Sequence, residues 1–441
     1  MRFFSKIADI WRHEELRNKL GVTLGLILVY RLGSFIVLPG VNSDELVAQT
    51  EGLGGLLSLF TGGAFTRASI FALGIMPYIS ASIIMQLMSI AVPTVQKMQN
   101  EGESGRKKIT QYTRFLTIAI ALVQAPGFIA SSIPASAIVN NTSGWMMSSI
   151  AIIVCSTLVI MWIGERITEK GVGNGISLLI MIGIIASFPQ SIIKEFNLPS
   201  TTIFFFIVEI AAFLVVIGVC VALVQAIRKV PVQMAKLQQG DSMMPTASGA
   251  RSFIPLKVNS SGVMPIIFAQ AIMFVPLYLT QVESLSQNDF VKSLSDFNGL
   301  GYNLLFFFMI VAFTYFYTAI TVNPNQMADD LKRQSSFIPG IKPGRATAEF
   351  LDTVLSKITL PGAIFLGLVA ILPAIVFNVG LTKSQEFSIF FGGTSLLIMV
   401  GVIIDTLQQI ESYLLSRHYD GLMKSGKMRS RSQSPVGGLG G

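Results

Sequence analysis

The sequence predicts an all-α polytopic membrane protein with ten transmembrane helices, and its composition and charge pattern support this. Of the 441 residues, 51% are hydrophobic and only 13% are charged, whereas soluble domains carry about 25% charged residues. The mean hydropathy is +0.64. Long stretches are almost free of charge, and a helix needs about 20 apolar residues to cross a bilayer. Since backbone polar groups in lipid must be satisfied within their own segment, these stretches predict helices.

The ten spans follow from the charge-poor stretches in chain order. The first, at about 19–38, is long enough to span and has both signs of charge before it, which indicates a retained helix and not a cleaved signal. Residues 115–164 carry no charge, too long a stretch for one crossing, and the turn-forming cluster 140–144 divides it into spans three and four. The other spans are predicted at 68–96, 171–193, 203–227, 258–282, 297–328, 358–382 and 387–404.

The distribution of Lys and Arg predicts the orientation. An even number of spans places both termini on one side of the membrane. All but five of the 32 Lys and Arg residues lie in the N-terminal segment, in the loops after even-numbered spans, or in the tail; the exceptions are Arg31, Arg67, Lys194, Lys292 and Lys383. Cytoplasmic loops are enriched in these residues. We therefore expect both termini in the cytoplasm of a cell whose inner membrane holds the protein.

The residues that most often carry chemistry are sparse. Cys155 and Cys220 lie within apolar runs, and His13 and His418 lie near the termini, so the sequence predicts no disulfide, metal site or buried histidine base. The glycine-rich fragment 171–175 lacks the Gly-Lys-Ser/Thr of a nucleotide-binding loop and opens a membrane helix. We predict no cofactor and no enzymatic activity.

Between the first two spans lies an apolar segment, 53–66, that is too short to cross and is interrupted by glycines. Irregular backbone at membrane depth is tolerated only when it is buried in protein or lines a water-filled cavity. The segment is therefore interpreted as re-entrant, which implies a cavity on the outer side. A short helix lying in the interface is the alternative.

Six ordered motifs resemble the SecY family of protein-export channels. They are FALGIMPYISASII at 71–84, EGESGRK at 101–107, GVGNGIS at 171–177, PLKVN at 255–259, FIPGIKPG at 337–344 and FGGTSLL at 391–397. The resemblance implies two inverted five-helix halves around an hourglass pore, which agrees with the ten predicted spans and with the inverted repeats of transport folds. It divides the chain into a cytoplasmic segment 1–18, a first half 19–193, a second half 194–414 and a partly disordered cytoplasmic tail 415–441.

The resemblance also implies a pore ring. It selects five residues in spans two, five, seven and ten: Ile75, Ile79, Ile180, Ile267 and Ile398. Apolar constrictions gate by dewetting, and β-branched side chains are stiff enough to form a defined collar. Ile75 and Ile79 lie four residues apart and so share a helix face. Ordinary packing between membrane helices is the alternative for each isoleucine taken alone.

Two further features of the pore come from the resemblance. The segment 53–66 becomes a plug that closes the outer funnel, with candidate residues Leu56, Leu57, Phe60, Gly62, Gly63 and Phe65. A lateral gate is expected between spans two and three on one side and spans seven and eight on the other, with Gln86 and Gln124 as candidate polar residues. An amide pair across helices contributes about 1 kcal/mol in a membrane. The alternative is that each glutamine bonds within its own bundle.

The long basic loops 228–257 and 322–357 resemble docking loops for the ribosome and the SecA motor ATPase. The candidate contact residues are Lys236, Arg251, Lys257, Lys332, Arg333, Lys342 and Arg345. Ribosomal RNA attracts such loops through counterion release, although the bias toward basic cytoplasmic loops is an alternative explanation. Lys342 stands where arginine is typical of the family, and Asp241 where a basic residue is usual, so the docking contacts are expected to differ in detail.

The function implied is a channel that conducts unfolded secretory polypeptides and releases transmembrane segments sideways into lipid. The implied partners are the small membrane subunits SecE and SecG, the SecA motor, the ribosome, and a preprotein with its signal peptide. A secondary transporter of a small solute, with inverted repeats and a site at the midplane, is the alternative. The scarcity of charged or coordinating groups within the spans disfavours the transporter.

Overall fold

A computed structural model describes residues 13–42, 46, 61–138, 143–199, 202–234, 252–279, 293–294 and 298–424. Within these residues the fold is dominated by ten helices of 16 residues or more. They are α1 (Glu14–Gly33), α2 (Met76–Ala91), α3 (Glu103–Ser132), α4 (Ser143–Lys170), α5 (Gly175–Asn197), α6 (Ile203–Gln225), α7 (Met264–Leu279), α8 (Leu300–Thr321), α9 (Arg345–Asn378) and α10 (Gly393–Lys424). Each contains one predicted span or most of it.

The ten helices differ in how clearly they qualify as membrane spans. Seven of them, α3 to α6 and α8 to α10, are long and apolar enough individually. An eighth span results if α2 is joined to the short helix Pro93–Asn100, from which a bend of 102° separates it. The helix α1 carries acidic residues in its first turn and Arg31 in its last, and α7 has only 16 residues. The chain is thus a multi-pass helical membrane protein.

The helices pack in the same order twice along the chain. In the first half α2 packs on α3, α3 on α4 and α4 on α5, and in the second half α7 packs on α8, α8 on α9 and α9 on α10. The halves meet where α5 packs against α10. We call this α5–α10 contact the seam. The repeated order matches the two predicted halves.

Long-range contacts define two faces of the molecule. On one face the start of α1, the turn between α4 and α5, and the end of α10 come together: Tyr413 bonds to Glu15, Thr23 accepts from Val172 N at 3.1 Å, and Gln409 accepts from Gly173 N at 3.1 Å. We call this the basic face. The ends of α1 and α5 and the connection between α9 and α10 lie on the opposite face.

The two long basic loops are joined by a small sheet that the sequence did not predict. Strands β1 (Ile227–Met234), β2 (Ser252–Lys257) and β3 (Ser336–Phe337) form an antiparallel sheet in the order β2-β1-β3. Val230 and Val232 alternate toward a buried cluster with Leu256, Leu331, Ile338, Leu351 and Leu355. The fold outside the spans is therefore not purely helical, and both candidate docking loops belong to one unit.

Two predicted boundaries shift. The helix α5 continues to Asn197, four residues past the predicted end of the first half at 193. Residues 415–424, which the sequence assigned to the tail, continue α10 to Lys424. Polar residues beyond a span do not end a helix, because a helix that has left the hydrocarbon is still stabilised by its own backbone hydrogen bonds. The rest of the tail lies outside the described residues.

Candidate functional site

The five candidate pore isoleucines come from four helices in both halves. Ile75 is the residue before α2, and Ile79 lies one turn later. The backbone N of Ile79 donates to the Ile75 carbonyl at 3.1 Å. Ile180 lies on α5, Ile267 on α7 and Ile398 on α10. Four are buried and Ile267 is half-buried, and all five belong to or pack against one apolar cluster. That cluster also contains many other residues, so burial alone does not single out the five.

The arrangement at this depth is apolar and crosses the boundary between the halves. Ile180 and Ile398 lie on the two helices of the seam, and both are at most 3% exposed. The apolar cluster therefore includes candidate isoleucines from both halves at the seam.

The segment that precedes α2 packs against α1, α3 and α5, which are helices of the first half. Of the candidate plug residues, Gly62, Gly63 and Phe65 are described, whereas Leu56, Leu57 and Phe60 lie outside the described residues. Gly62 and Gly63 have φ of +64° and +83°, a conformation suited to glycine. The Phe65 ring packs edge-on against Phe128 of α3, with centroids 5.0 Å apart. The structure thus places the described end of this segment inside the bundle.

The candidate gate glutamines lie on neighbouring helices. Gln86 is on α2 and Gln124 on α3, and these two helices pack closely together. Both residues are half-buried. The structure records no hydrogen bond between their side chains in the part of the chain it describes. They lie on one side of the expected gate and are not brought together as an amide pair.

A cavity of about 520 Å³ opens on the basic face. It lies between the start of α5, the connection from β2 to α7, the end of α8 and the middle of α10. Its polar lining includes Asn174, Lys257, Asn259, Ser261, Asp405, Gln408 and Gln409. Asn174 also caps α5 by accepting from Ile176 N at 3.1 Å. The cavity opens on the same side as the basic loops.

The described docking candidates lie on the exposed surface near the sheet. Lys257 ends β2, Lys332 and Arg333 end the short helix Pro324–Arg333, and Arg345 begins α9. Lys342 lies in the loop before α9, and all five residues are exposed. Arg345 pairs with Glu349 on its own helix at 3.1 Å. Lys236 and Arg251 lie outside the described residues.

Sequence reasoning missed a buried carboxylate that joins the two halves. Glu195, near the end of α5, is 0% exposed. Its two carboxylate oxygens accept from the backbone N of Lys383 at 2.9 Å and of Ser384 at 2.8 Å, in the connection between α9 and α10. Next to it, Lys194 pairs with Glu386 at 2.7 Å. No local pattern marks Glu195, because its partners are nearly 190 residues away and are backbone groups.

The bundle also contains two free cysteines and a second buried carboxylate, Glu209. Among the described residues, no group of three or more His, Cys, Asp or Glu is placed to hold a metal ion. The two cysteines are free thiols, with Cys220 buried in α6 and Cys155 exposed on α4. Glu209 of α6 is 2% exposed, and its Oε2 has no hydrogen-bond partner within the described ranges.

Comparison with known proteins gives a consistent result over nearly the whole chain. The family model for SecY matches residues 69–407. The protein translocase subunit SecY of Streptomyces lividans is 41% identical over 439 residues, covering 95% of this chain and 99% of the relative. The protein translocase subunit SecY of Mycobacterium tuberculosis strain H37Rv is 39% identical over 441 residues, covering 94% of this chain and 98% of the relative.

Solved structures share the fold at low sequence identity. A structure described as a protein conducting channel aligns with a TM-score of 0.64 and 16% identity, covering 92% of this chain and 95% of that one. A SecY structure whose plug domain is described as stabilising the closed state and maintaining a membrane seal aligns with a TM-score of 0.64 and 17% identity. Canine Sec61 in a ribosome–channel complex gives a TM-score of 0.61, with the same coverage as the first.

Proposed function

This chain belongs to the SecY family, and we propose that it forms the channel of a protein translocase. Unfolded secretory polypeptides cross the inner membrane through this channel, and transmembrane segments leave it sideways into lipid. The observation that carries the proposal is 41% identity over nearly the full length of a relative named as a translocase subunit. The apolar cluster between the halves, with a polar cavity on the basic face, is consistent with it. Full-length similarity to translocase subunits favours this function over the solute transporter.

The proposed waist of the channel is the ring of Ile75, Ile79, Ile180, Ile267 and Ile398. A channel for polypeptides must pass every kind of side chain, so specific ligands at its narrowest point would bind some of them and slow transport. An apolar collar avoids this, and it excludes ions at rest because water withdraws from it. All five residues belong to or pack against one apolar cluster, which supports this assignment.

The proposed closure and exit lie on the opposite face and at the side of the bundle. We assign the segment 53–66 as the plug, supported by its glycine turn at 62–63 and by the packing of Phe65 on Phe128. We assign Gln86 and Gln124 to one wall of the lateral gate, since α2 and α3 form a single packed unit. In a resting channel these two glutamines would face the gate without bonding to each other.

The proposed partners divide between the two environments of the protein. The exposed basic residues around the sheet, namely Lys257, Lys332, Arg333, Lys342 and Arg345, would contact ribosomal RNA or the SecA motor. A related channel has been solved with a ribosome bound. SecE and SecG are the proposed small membrane subunits. We propose that the basic face, with both termini, faces the cytoplasm. The chain is proposed to be a conduit and not an enzyme, so the motor or the ribosome supplies the energy.

The function is tested by reconstitution. The purified complex, in liposomes with the SecA motor and ATP, should render a preprotein that carries a signal peptide resistant to added protease. The same preprotein without its signal peptide, and the same reaction without ATP, serve as controls. Saturable uptake of a small solute with no protection of the preprotein would overturn the proposal in favour of the transporter.

A further inference from the structure

The end of α1 contacts the described end of the candidate plug segment, at Gly62. Arg31, in the last turn of α1, donates from Nη1 to the carbonyl oxygen of Gly62 at 2.9 Å and lies 3.5 Å from the hydroxyl of Ser34. Its guanidinium carbon lies 4.9 Å from the centre of the Phe35 ring. The side chain is thus oriented by residues next to it in sequence and directed at Gly62. Hydrogen bonds from a charged donor are roughly twice as strong as neutral ones.

The turn that receives this bond is confined on its other side by α5. A Cβ atom on Gly62 would lie 2.6 Å from Arg31 Nη1 and 3.2 Å from the Cα and carbonyl oxygen of Gly183. The chain at Gly62 therefore fits between α1 and α5 with no space for a side chain. Gly183 lies three residues after Ile180, so both are on the same face of α5. The turn contacts the helix that carries one candidate pore isoleucine.

The same short stretch also contacts the start of α2. A Cβ atom on Gly74 would lie 3.0 Å from the Thr61 methyl group, and Gly74 immediately precedes Ile75. Further along, the chain is held independently of any side chain, because Ile70 N donates to the Ile36 carbonyl and Leu38 N to the Ala68 carbonyl, both at 2.9 Å. Residues 61–63 also bond to residues 64–67, which follow them in the chain, and the hydrogen bond from Arg31 joins them to α1.

We propose that Arg31 is a positioning residue for the closed channel: its bond to the Gly62 carbonyl holds the carboxyl-terminal end of the plug segment against α5, beside the pore ring. The inference rests on the proposed function, in which the segment 53–66 closes the channel. Moving residues 61–63 away from α5 requires the bond to break. Removal of the bond should therefore raise the fraction of resting channels that are open.

The test compares two arginines that stack on the same ring. Arg67 lies 4.6 Å from the Phe35 centroid, close to the distance for Arg31, but the bond to Gly62 comes from Arg31. Purified complexes carrying Arg31→Leu or Arg67→Leu are reconstituted into liposomes, and chloride entry is measured without substrate. We expect Arg31→Leu to raise the resting leak roughly tenfold, the factor given by the loss of one charge-assisted bond, and Arg67→Leu to change it much less.

Translocation of the signal-bearing preprotein is measured in the same liposomes and separates the possible failures. If the wild-type complex does not translocate, the proposed function fails and not the role of Arg31. If Arg31→Leu translocates normally but leaks no more than wild type, or if both leucine variants leak equally, the inference is overturned. If Arg31→Leu does not fold, the comparison is made with Arg31→Lys and Arg67→Lys. Lysine keeps the charge but not the directed fork of donors, so only Arg31→Lys should leak more than wild type.

Discussion

The two ends of the seam between α5 and α10 are held together in different ways. On the opposite face the buried carboxylate of Glu195 accepts from two consecutive backbone N–H groups, with the Lys194–Glu386 ion pair beside it. On the basic face the seam has an exposed neutral hydrogen bond of 3.1 Å from Gly173 N to Gln409 Oε1, at the edge of the 520 Å³ cavity. We call the end of the seam at the opposite face the dry end, because its contact is buried and involves a charged group. The end at the basic face is the wet end, because its contact is exposed and neutral.

Aromatic packing enlarges this difference. Around the Glu195 end, Phe188 of α5 packs against two rings of the second half, Phe390 at 5.2 Å and Phe213 of α6 at 5.5 Å. Buried aromatic pairs contribute about 0.5–1.5 kcal/mol beyond their buried area. An exposed hydrogen bond, in contrast, competes with water and adds little. By these contacts the halves are joined more firmly at the opposite face than at the basic face.

The largest expected effect is on the dry end. Glu195→Gln keeps the size of the side chain but replaces one acceptor with an NH₂ group that faces a backbone N–H donor. A buried donor without a partner costs about 1–3 kcal/mol, and the charge-assisted character of the other bond is lost as well. We expect the free energy of unfolding of the complex in mild detergent to fall by about 3 kcal/mol, measured by denaturant titration.

The neighbouring ion pair is the control for this prediction. Lys194→Met removes a salt bridge whose lysine is 55% exposed. Exposed pairs contribute about 0–1 kcal/mol, so this variant should unfold close to wild type. Equal losses for Glu195→Gln and Lys194→Met would show that the buried carboxylate is not what joins the halves.

The smallest expected effect is on the wet end. Gln409→Ala removes the hydrogen bond to Gly173 N, and water can replace it, so the free energy of unfolding should change by less than about 1 kcal/mol in the same titration. Gln408→Ala is the matched control, because Gln408 lies next to it but bonds to Lys257 Nζ at 3.3 Å and not to α5. If Gln409→Ala destabilises the complex as much as Glu195→Gln, the two ends do not differ as described.

The spans could be predicted from the sequence because lipid imposes a simple rule on where charge is tolerated. Each long helix contains most of one predicted span, including α3 and α4, which the sequence divides at 140–144. Helix ends were predicted less well: α9 begins at Arg345, thirteen residues before the predicted span at 358. Charge limits the depth at which a residue can lie in the membrane, but it does not end a helix.

The site was predicted only where residue type or family motif carries the information. The five isoleucines were chosen by resemblance, and their position in one apolar cluster is consistent with that choice. The contacts of Glu195 and the contact between Arg31 and Gly62 were not predictable, because each joins a side chain to a distant backbone atom. Every residue has a backbone carbonyl and nearly every residue a backbone N–H, so the sequence does not indicate which of them a side chain will contact. The sheet was missed because β1 offers only Val230 and Val232 as a short alternation in a polar loop.

The apolar waist is tested most directly by the conductance of planar bilayers that contain the purified complex without substrate. Aspartate at a position in the collar would hold water there, and valine would keep the site apolar and β-branched. We predict that Ile75→Asp and Ile267→Asp raise the resting ion conductance roughly tenfold or more, while Ile75→Val and Ile267→Val remain as silent as wild type. Aspartate variants that still translocate a preprotein but show no added conductance would contradict the isoleucine collar.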